Sequence, residues 1–212
     1  MTQTANHYLD ADELLHLAIA ASERGKSEEA ITLLKRALAL APDDARLHYL
    51  LGAEHAQIGL YERAVEEIRR AVELDPEQDT AHFQLGLLYC TSGRAELAAE
   101  AWKPLDKLNH DHFLYHFKTG LLHLINDEFA ECDQCLRRGI LANKINAALN
   151  DDMTRILRET QERLAAAPAK AKPAPAKAPG TPGATPADQA SESDHILLSA
   201  YRRNRADKDN ER

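Results

Sequence analysis

Along the chain, stretches with the apolar spacing of an amphipathic helix alternate with short breaks. The stretch from 45 to 58 and the stretch from 61 to 74 each place apolar or small residues on one side of a helix. The residues that share a side are Leu47, Leu50, Leu51 and Ile58 in the first stretch and Ala64, Ile68 and Ala71 in the second. The pattern therefore predicts two amphipathic helices that pack against each other through their apolar sides.

The breaks between these stretches contain residues that end helices. Gly59 follows the first stretch, where a residue with a positive φ angle is favourable. Asp75 and Pro76 follow the second stretch, and a proline cannot continue a helix there. The segment is therefore predicted to be a helix, a tight turn and a second helix.

This unit recurs every 34 residues, which is the strongest regularity in the chain. Five independent series keep that spacing, and agreement among all five excludes coincidence. The series are Gly25, Gly59 and Gly93; Gly52, Gly86 and Gly120; Ala30, Ala64 and Ala98, followed by Cys132; Pro42 and Pro76; and His48, His82 and His116. Ala64 and Gly52 are small, so two helices can approach closely at those positions.

These residues resemble the pattern of the tetratricopeptide repeat family. In the second unit the matching residues are His48, Leu51-Gly52, His55, Ala64, Ile68, Ala71 and Pro76. The resemblance implies an all-α, right-handed α-solenoid of four helix-turn-helix repeats, a C-terminal capping helix and a disordered tail. We expect an N-terminal tail at 1–10 and a repeat domain at 11–165, with units 11–44, 45–78, 79–112 and 113–146 and the capping helix at 147–165.

Two departures from the pattern carry structural expectations. Pro104 lies inside the second helix of the third unit and should kink or shorten it. The fourth unit has lost most of the pattern residues, as terminal repeats often do. Beyond it, Leu149, Met153, Ile156, Leu157 and Leu164 share one side of the expected capping helix.

In this family the inner, ligand-facing wall is formed by the first helix of each unit. The corresponding positions here, which the resemblance assigns to a peptide-binding groove, are Tyr49, Phe83, Leu87, Phe117, Leu121 and Leu124. Residues 113–125 are also apolar nearly all round, which exceeds what packing against one second helix requires. Such a groove suits an amphipathic helix or an extended peptide. Part of it could instead be covered by the capping helix or by a homodimer contact.

Histidines and cysteines raise the question of metal or redox chemistry. His48, His82 and His116 follow the repeat and fill the slot where the family has a bulky residue. His112 and His116 could share a helix side, but no third ligand is evident. Cys132 and Cys135 form a Cys-x-x-Cys pair, yet Cys132 occupies the small-residue packing position. A metal-binding or redox protein is therefore the least favoured interpretation, and we expect no metal and no cofactor.

Catalytic motifs are missing from the sequence. It contains no glycine-rich phosphate loop, no serine nucleophile elbow and no His-Glu-x-x-His motif. The sequence therefore predicts a protein that is not an enzyme.

Net charge narrows the class of partner. Residues 1–165 contain 18 Lys and Arg against 28 Asp and Glu, a net charge of −10. An acidic domain does not suit a nucleic acid or an anionic membrane as its main partner. Neither a signal peptide nor an apolar run of membrane-spanning length is evident, so we expect a cytoplasmic location.

The composition changes sharply after the repeats. Residues 166–190 contain six of the nine prolines, with Ala, Lys and Gly, and predict a disordered linker. Residues 191–212 then bring Ile196, Leu197, Leu198 and Tyr201 together in a short helical motif, followed by Arg202, Arg203 and Arg205. The motif could dock on the chain's own groove, recruit a second protein, or be a tail without a specific role.

These observations lead to a non-enzymatic adaptor or scaffold that binds a protein segment in its concave groove. The alternative is a cytoplasmic chaperone for a secretion, pilus or flagellar assembly component. Small chaperones of this fold also have apolar grooves, although the Pro/Ala/Lys tail does not resemble them. A chaperone would keep an otherwise insoluble partner soluble at a fixed stoichiometry.

Overall fold

A computed structural model describes residues 9–166 of the chain. Within that range the chain forms nine α-helices and one short 3-10 helix. The α-helices are α1 (Ala11–Glu23), α2 (Ser27–Leu40), α3 (Ala45–Gln57), α4 (Tyr61–Leu74), α5 (Asp79–Thr91), α6 (Ala95–Trp102), α7 (Phe113–Ile125), α8 (Phe129–Ala142) and α9 (Ala147–Ala166). Residues 1–8 of the predicted N-terminal tail (1–10), residues 167–190 of the predicted linker (166–190) and the motif at 191–212 lie outside the described residues.

The helices pack as four successive pairs closed by α9. Helices α1 and α2, α3 and α4, α5 and α6, and α7 and α8 pack within a pair, while α2–α3, α4–α5 and α8–α9 connect consecutive elements. The predicted α-solenoid is therefore confirmed. Its interior divides into one apolar cluster spanning α1 to α5 and a second spanning α5 to α9.

Close approach within a pair depends on the glycine of the first helix. A methyl group added at Gly52 would lie 2.5 Å from Ile68 Cγ1, and one added at Gly86 would lie 2.1 Å from Trp102 Nε1. Neither distance is compatible with a side chain at that position. The 34-residue glycine series therefore reflects helix packing.

The turns within the first three pairs use a glycine with left-handed backbone geometry. The φ angles are 70° at Gly25, 77° at Gly59 and 74° at Gly93. Such angles cost little at glycine and are unfavourable for residues with a Cβ atom. In the fourth pair Asp127 takes this role with a φ of 58°, so the turn geometry persists where the sequence pattern fails.

The repeating histidines anchor the loop that precedes their helix. His48 Nε2 lies 2.9 Å from the carbonyl oxygen of Pro42, and His82 Nε2 lies 3.0 Å from that of Pro76. His48 Nδ1 also lies 2.7 Å from Glu67 Oε2 on α4. The histidine and proline series thus share a structural reason for their spacing. In each of these two units the histidine ring hydrogen-bonds the carbonyl group of the proline that lies six residues before it.

Pro104 shortens the second helix of the third pair, as predicted. Helix α6 ends at Trp102, and Lys103–Lys107 continue as a 3-10 helix. A proline removes a backbone donor and clashes with the preceding helical turn, so the α-helix stops just before it. Leu105 in the 3-10 helix is fully buried in the second cluster.

An asparagine network replaces the missing proline between α8 and α9. The amide of Asn143 donates to the carbonyl oxygen of Asn146 at 2.8 Å and to Asn150 Oδ1 at 2.9 Å. Its side-chain oxygen accepts from the backbone N–H groups of Ile145 and Asn146 at 3.1 Å and 3.0 Å. Asn146 Oδ1 then accepts from the N–H of Leu149 at 2.9 Å, which caps the first turn of α9.

Candidate functional site

The inner strip is the side of each first helix that faces away from its second helix. On α1 it comprises Asp12, His16, Ile19 and Glu23, whose spacing of four, three and four residues keeps them on one side. The 34-residue register adds Arg46, Leu50, Ala53 and Gln57 on α3; Thr80, Gln84, Leu87 and Thr91 on α5; and Leu114, Lys118, Leu121 and Ile125 on α7.

The six predicted groove residues divide into two groups by exposure. Leu87 and Leu124 are half-buried. The exposed fractions of the other four are 0% for Tyr49, 1% for Phe83, 0% for Phe117 and 1% for Leu121. The expectation of an open row of side chains is therefore wrong at these four positions, and a direct role for any of the six in binding stays a prediction.

Neighbouring rings explain the burial of Phe83 and Phe117. The Phe83 ring stacks on Trp102 with centroids 6.2 Å apart, and it meets Phe117 at 6.3 Å. Phe117 also contacts Phe113 edge-on at 5.9 Å. A methyl group added at Gly139 would lie 2.4 Å from the Phe117 ring, so this aromatic cluster packs α5 to α8 together.

Tyr49 is a residue of α3, and its side chain lies in the first apolar cluster. Burial raises the pKa of Tyr49 well above its ordinary value, and a hydrogen bond with Thr80 acts in the opposite direction. The phenol is therefore neutral at physiological pH. A neutral hydroxyl among apolar side chains contributes packing and one polar contact rather than charge.

Apolar surface that remains accessible on the inner side is concentrated on α5 and α7. Of the inner strip, Leu87 on α5 and Ile125 on α7 are half-buried, and each packs against the second cluster with part of its surface. Helix α7 contains no acidic residue along Phe113–Ile125. Its one lysine, Lys118, is buried and pairs with Asp106, with its ammonium group 5.2 Å from the Tyr115 ring centre.

Acidic groups are concentrated at the other end of the inner side. Asp12, Glu13 and Glu23 lie on α1, and Asp12 pairs with Arg46 on α3 at 2.9 Å. Glu54 on α3 is only 1% exposed and accepts a hydrogen bond from the Ser22 hydroxyl of α1. The inner strip therefore carries carboxylates on α1, whereas on α7 it is apolar apart from Lys118.

The histidine cluster has structural partners. His112 Nδ1 accepts the N–H of Leu114 at 3.2 Å and so caps α7, and the His110 ring lies 4.5 Å from the Tyr115 ring centre. Burial lowers the pKa of His112 and of His116, which favours their neutral rings. Within residues 9–166 no group of three or more His, Cys, Asp or Glu side chains could hold a metal ion.

The two paired cysteines belong to the packing of α8. Cys132 is fully buried and its Sγ lies 3.7 Å from Thr160 Oγ1 on α9, while Cys135 is half-buried. Burial raises the pKa of both thiols. A raised pKa disfavours the thiolate that redox or metal chemistry requires.

Sequence reasoning missed Glu54 as a buried carboxylate that accepts a hydrogen bond from α1. Its neighbour His55 matches the family pattern, whereas Glu54 matches no position of that pattern. The available signal was Leu50 four residues earlier, because two residues four apart share a helix side. Of the described helices, none has the length and apolarity needed to cross a membrane.

Comparison with protein-family models gives one family. The tetratricopeptide repeat model matches residues 15–79 and 54–103. Together these ranges cover most of the first helix pair, the second pair, and both α-helices of the third, with the series Gly25, Gly59 and Gly93 and the series Ala30, Ala64 and Ala98. No curated protein sequence gave a significant match.

Solved structures with a similar fold are repeat proteins of low sequence identity. A tetratricopeptide repeat protein from Parabacteroides merdae ATCC 43184 has a TM-score of 0.61 at 17% identity, over 77% of this chain and 63% of that one. MamA from Desulfovibrio magneticus RS-1 has a TM-score of 0.55 at 16% identity, over 74% and 92%. A further MamA structure gives 0.54 at 20% identity, over 77% and 98%. At these identities the likeness concerns the fold.

Proposed function

Because this chain belongs to the tetratricopeptide repeat family, we propose that it is an adaptor that binds a segment of a partner protein along its inner side. Repeats of this kind are generally non-enzymatic modules that hold protein partners, and stacked units offer an extended concave surface. The proposal concerns which part of that surface binds and what kind of segment it accepts.

The accessible apolar surface of α5 and α7 supports the proposal most directly. Leu87 and Ile125 of the inner strip keep part of their surface exposed although each already packs against the interior. Partly exposed apolar side chains along the inner strip are typical of a site for an amphipathic helix or an extended peptide. The acidic groups of α1 favour a partner segment that carries basic residues at one end.

The expected affinity is moderate. Burying an apolar side chain contributes about 1.5–3 kcal/mol, and association costs on the order of 4–15 kcal/mol. Contacts with four such side chains contribute about 6–12 kcal/mol, so a dissociation constant near micromolar is the tightest that we expect. Binding of this strength suits an adaptor that exchanges partners.

Paired substitutions can test the assignment. Leu87→Gln with Ile125→Gln removes apolar surface from the inner strip, whereas Leu97→Gln changes an exposed leucine of α6. We expect affinity capture to recover the same partner with the wild type and with Leu97→Gln, and much less of it with the double variant. Calorimetric titration of the purified partner segment then measures the difference, provided that circular dichroism melts show all variants folded.

Equal binding by all three proteins would contradict the proposed surface. The inner-strip variant would then retain a partner that, on this proposal, contacts Leu87 and Ile125. A homodimer contact at the same residues gives a different result, because the double variant would change the molar mass measured by light scattering in the absence of any partner.

The motif at 191–212 adds a second element to the proposal. Its apolar residues Ile196, Leu197, Leu198 and Tyr201 follow a linker rich in proline. A short apolar motif on a tether is suited to recruiting a second protein, which would make the chain a bridge, or to docking on the chain's own repeats. The net negative charge of the repeats favours docking on the chain's own repeats, because the motif carries Arg202, Arg203 and Arg205.

A further inference from the structure

We propose that the solenoid pairs with a second copy of itself through its N-terminal end, which is the outward side of the first helix pair. The contact is two-fold, and α1 of each copy packs on α2 of the other. This inference goes beyond the proposed function, which concerns the inner strip of one copy. A dimer of this kind carries two inner strips, so it can hold two partner segments at once.

The first helix of an interior pair is covered on the side opposite its own second helix. On α3 and α5, four positions in the 34-residue register are at most 8% exposed on that side. They are Leu47, Leu50, Leu51 and Glu54 on α3 and Ala81, Gln84, Leu85 and Leu88 on α5. The preceding pair provides the cover, since α2 packs on α3 and α4 packs on α5. This side is therefore the stacking face of each interior pair.

The same four positions on α1 are accessible. They hold Glu13, His16, Leu17 and Ala20. Leu17 is 44% exposed, His16 is exposed, and Glu13 and Ala20 are half-buried. The first pair thus has a leucine at a stacking position that α3 and α5 bury.

Helix α2 adds two leucines to the same end of the array. Leu33 and Leu40 lie seven residues apart and share a side of α2 with Arg36. The matching side of α4 points toward the preceding pair, because Arg70, the counterpart of Arg36, pairs with Asp43 in the α2–α3 loop at 2.8 Å. Leu33 is half-buried and Leu40 is 59% exposed. Leucines of both helices therefore form one apolar end face.

The antiparallel course of α1 and α2 determines which residues two copies bring together. In the second pair, Gly52 lies against Ala64 and Ile68, so in the first pair Ala18 is level with residues 30–34. Leu17 is then level with Leu33. A two-fold axis parallel to the helices sets α1 of one copy against α2 of the other at equal levels. Leu17 of each copy therefore meets Leu33 of the other.

Charge on this face is complementary to that of a second copy. Arg36 is exposed and makes no ion pair within residues 9–166, and it is level with the first turn of α1. That turn carries Asp12 and Glu13. Asp12 already pairs with Arg46 and Glu13 caps the helix, so the attraction comes from the field of an acidic turn rather than from a new close pair. The two-fold contact uses it twice.

The opposite end of the array does not suit the same face. Helix α9 exposes Arg158 and Glu162, so a head-to-tail contact would set leucines against charged side chains. Apolar surface meets apolar surface when two N-terminal ends face each other. The contact then closes at two copies.

Molar mass measured against concentration tests the contact in the full-length protein. One chain has a mass of 23.6 kDa, and we expect light scattering to approach twice that value on the order of 10–100 μM, as suits a small interface. Leu17→Glu with Leu40→Glu should keep the mass of one chain. The matched control, Leu141→Glu with Leu164→Glu, changes exposed leucines of α8 and α9 and should dimerise like the wild type.

A neighbouring pair of cations tests the charge. Arg36→Glu should weaken the dimer about tenfold. Lys35→Glu makes the same charge change at the adjacent exposed residue, which lies on another side of α2, and should leave the dimer unchanged. Equal effects of the two variants would contradict the proposed face, because only Arg36 lies on it.

Cross-linking tests which residues meet. Oxidation of a 1:1 mixture of Leu17→Cys and Leu33→Cys should give a disulfide-linked dimer on a gel without reductant, and either variant alone should give much less. Cys90, Cys132 and Cys135 are present in every sample and set the background. Equal linking in the mixture and in the separate variants would refute the two-fold arrangement.

Three further results would overturn the proposal. The first is a wild type that remains a single chain at about 100 μM, and the second is a mass that grows beyond two chains. The third is a dimer that forms only after removal of residues 1–8, because the chain's own N-terminal segment would then be what covers the face. Partner capture through Leu87 and Ile125 is independent of all three, since those residues lie on α5 and α7.

Discussion

Trp102 donates its indole N–H to the carbonyl oxygen of Phe83 across 2.9 Å, which holds the indole against Gly86 on the next turn of α5. The ring also stacks on the Phe83 side chain. One residue of α6 thus fixes both the close approach of the third helix pair and the first ring of the aromatic cluster.

Gly86→Ala should destabilise the protein more than the same change at the equivalent position of the fourth pair. An added methyl group meets the rigid indole at 2.1 Å in the first case, whereas at Gly120 it meets the end of Leu136 at 3.0 Å. We expect Gly86→Ala to lower the free energy of unfolding by about 1–3 kcal/mol. At Gly120 the better helix propensity of alanine should offset much of the crowding. Urea unfolding measures both, and equal losses would contradict the packing argument.

Asn143→Ala should remove the support of the turn between α8 and α9. The change deletes two accepted and two donated hydrogen bonds of a buried amide. Leaving the backbone groups without these partners should cost about 2–3 kcal/mol. Lys144→Ala, at the exposed next residue, should change the free energy of unfolding by less than about 0.5 kcal/mol. A similar effect of both variants would mean that the network contributes nothing specific.

His55→Gln should weaken the dependence of stability on pH. Burial lowers the pKa of His55 in the folded protein, so below the ordinary histidine pKa of about 6.5 the unfolded chain binds a proton that the folded chain resists. Wild-type stability therefore falls as the pH drops below that value, and removing the ring should make the fall shallower. Thermal or urea unfolding at several pH values between about 7.5 and about 5 measures the slope. An unchanged slope would show that His55 has no such effect.

Cys132 should react slowly with iodoacetamide in the folded protein. It is fully buried and its pKa is raised by that burial, so alkylation requires local opening and should be about a hundredfold or more slower than in the unfolded chain. Cys135, which is half-buried, should react at an intermediate rate. Mass spectrometry of timed samples provides the rates. Fast alkylation of native Cys132 would instead favour the redox interpretation of the pair.

Periodicity made the helix pairs predictable. The second helix expected from Tyr61 to Leu74 has these bounds in the structure, and the glycine expected at a positive φ after the first helix has that angle. Each of these features depends on a local rule and is repeated in several units. Pro104 was predictable for the same reason, because its effect on a helix is local.

Exposure along the inner side was not predictable in the same way. The register correctly assigns residues to one side of a helix, but accessibility depends on what lies against that side. Phe83 and Phe117 occupy family positions of the inner wall, yet their rings reach Trp102 and one another. The asparagine network was missed because Asn143, Asn146 and Asn150 match no family position that signals a turn.

Thr154 stands 34 residues after Gly120, where the register calls for the glycine that admits a second helix. It is exposed, and Asp151, Arg158 and Glu162 on the same side of α9 are exposed as well. Because this side of α9 is charged and has a threonine in place of the glycine, an additional helix could not pack closely against it. The array therefore could not be lengthened by grafting units onto α9. New units would have to be inserted before α9, or added at the opposite end, where Leu17 of α1 is 44% exposed.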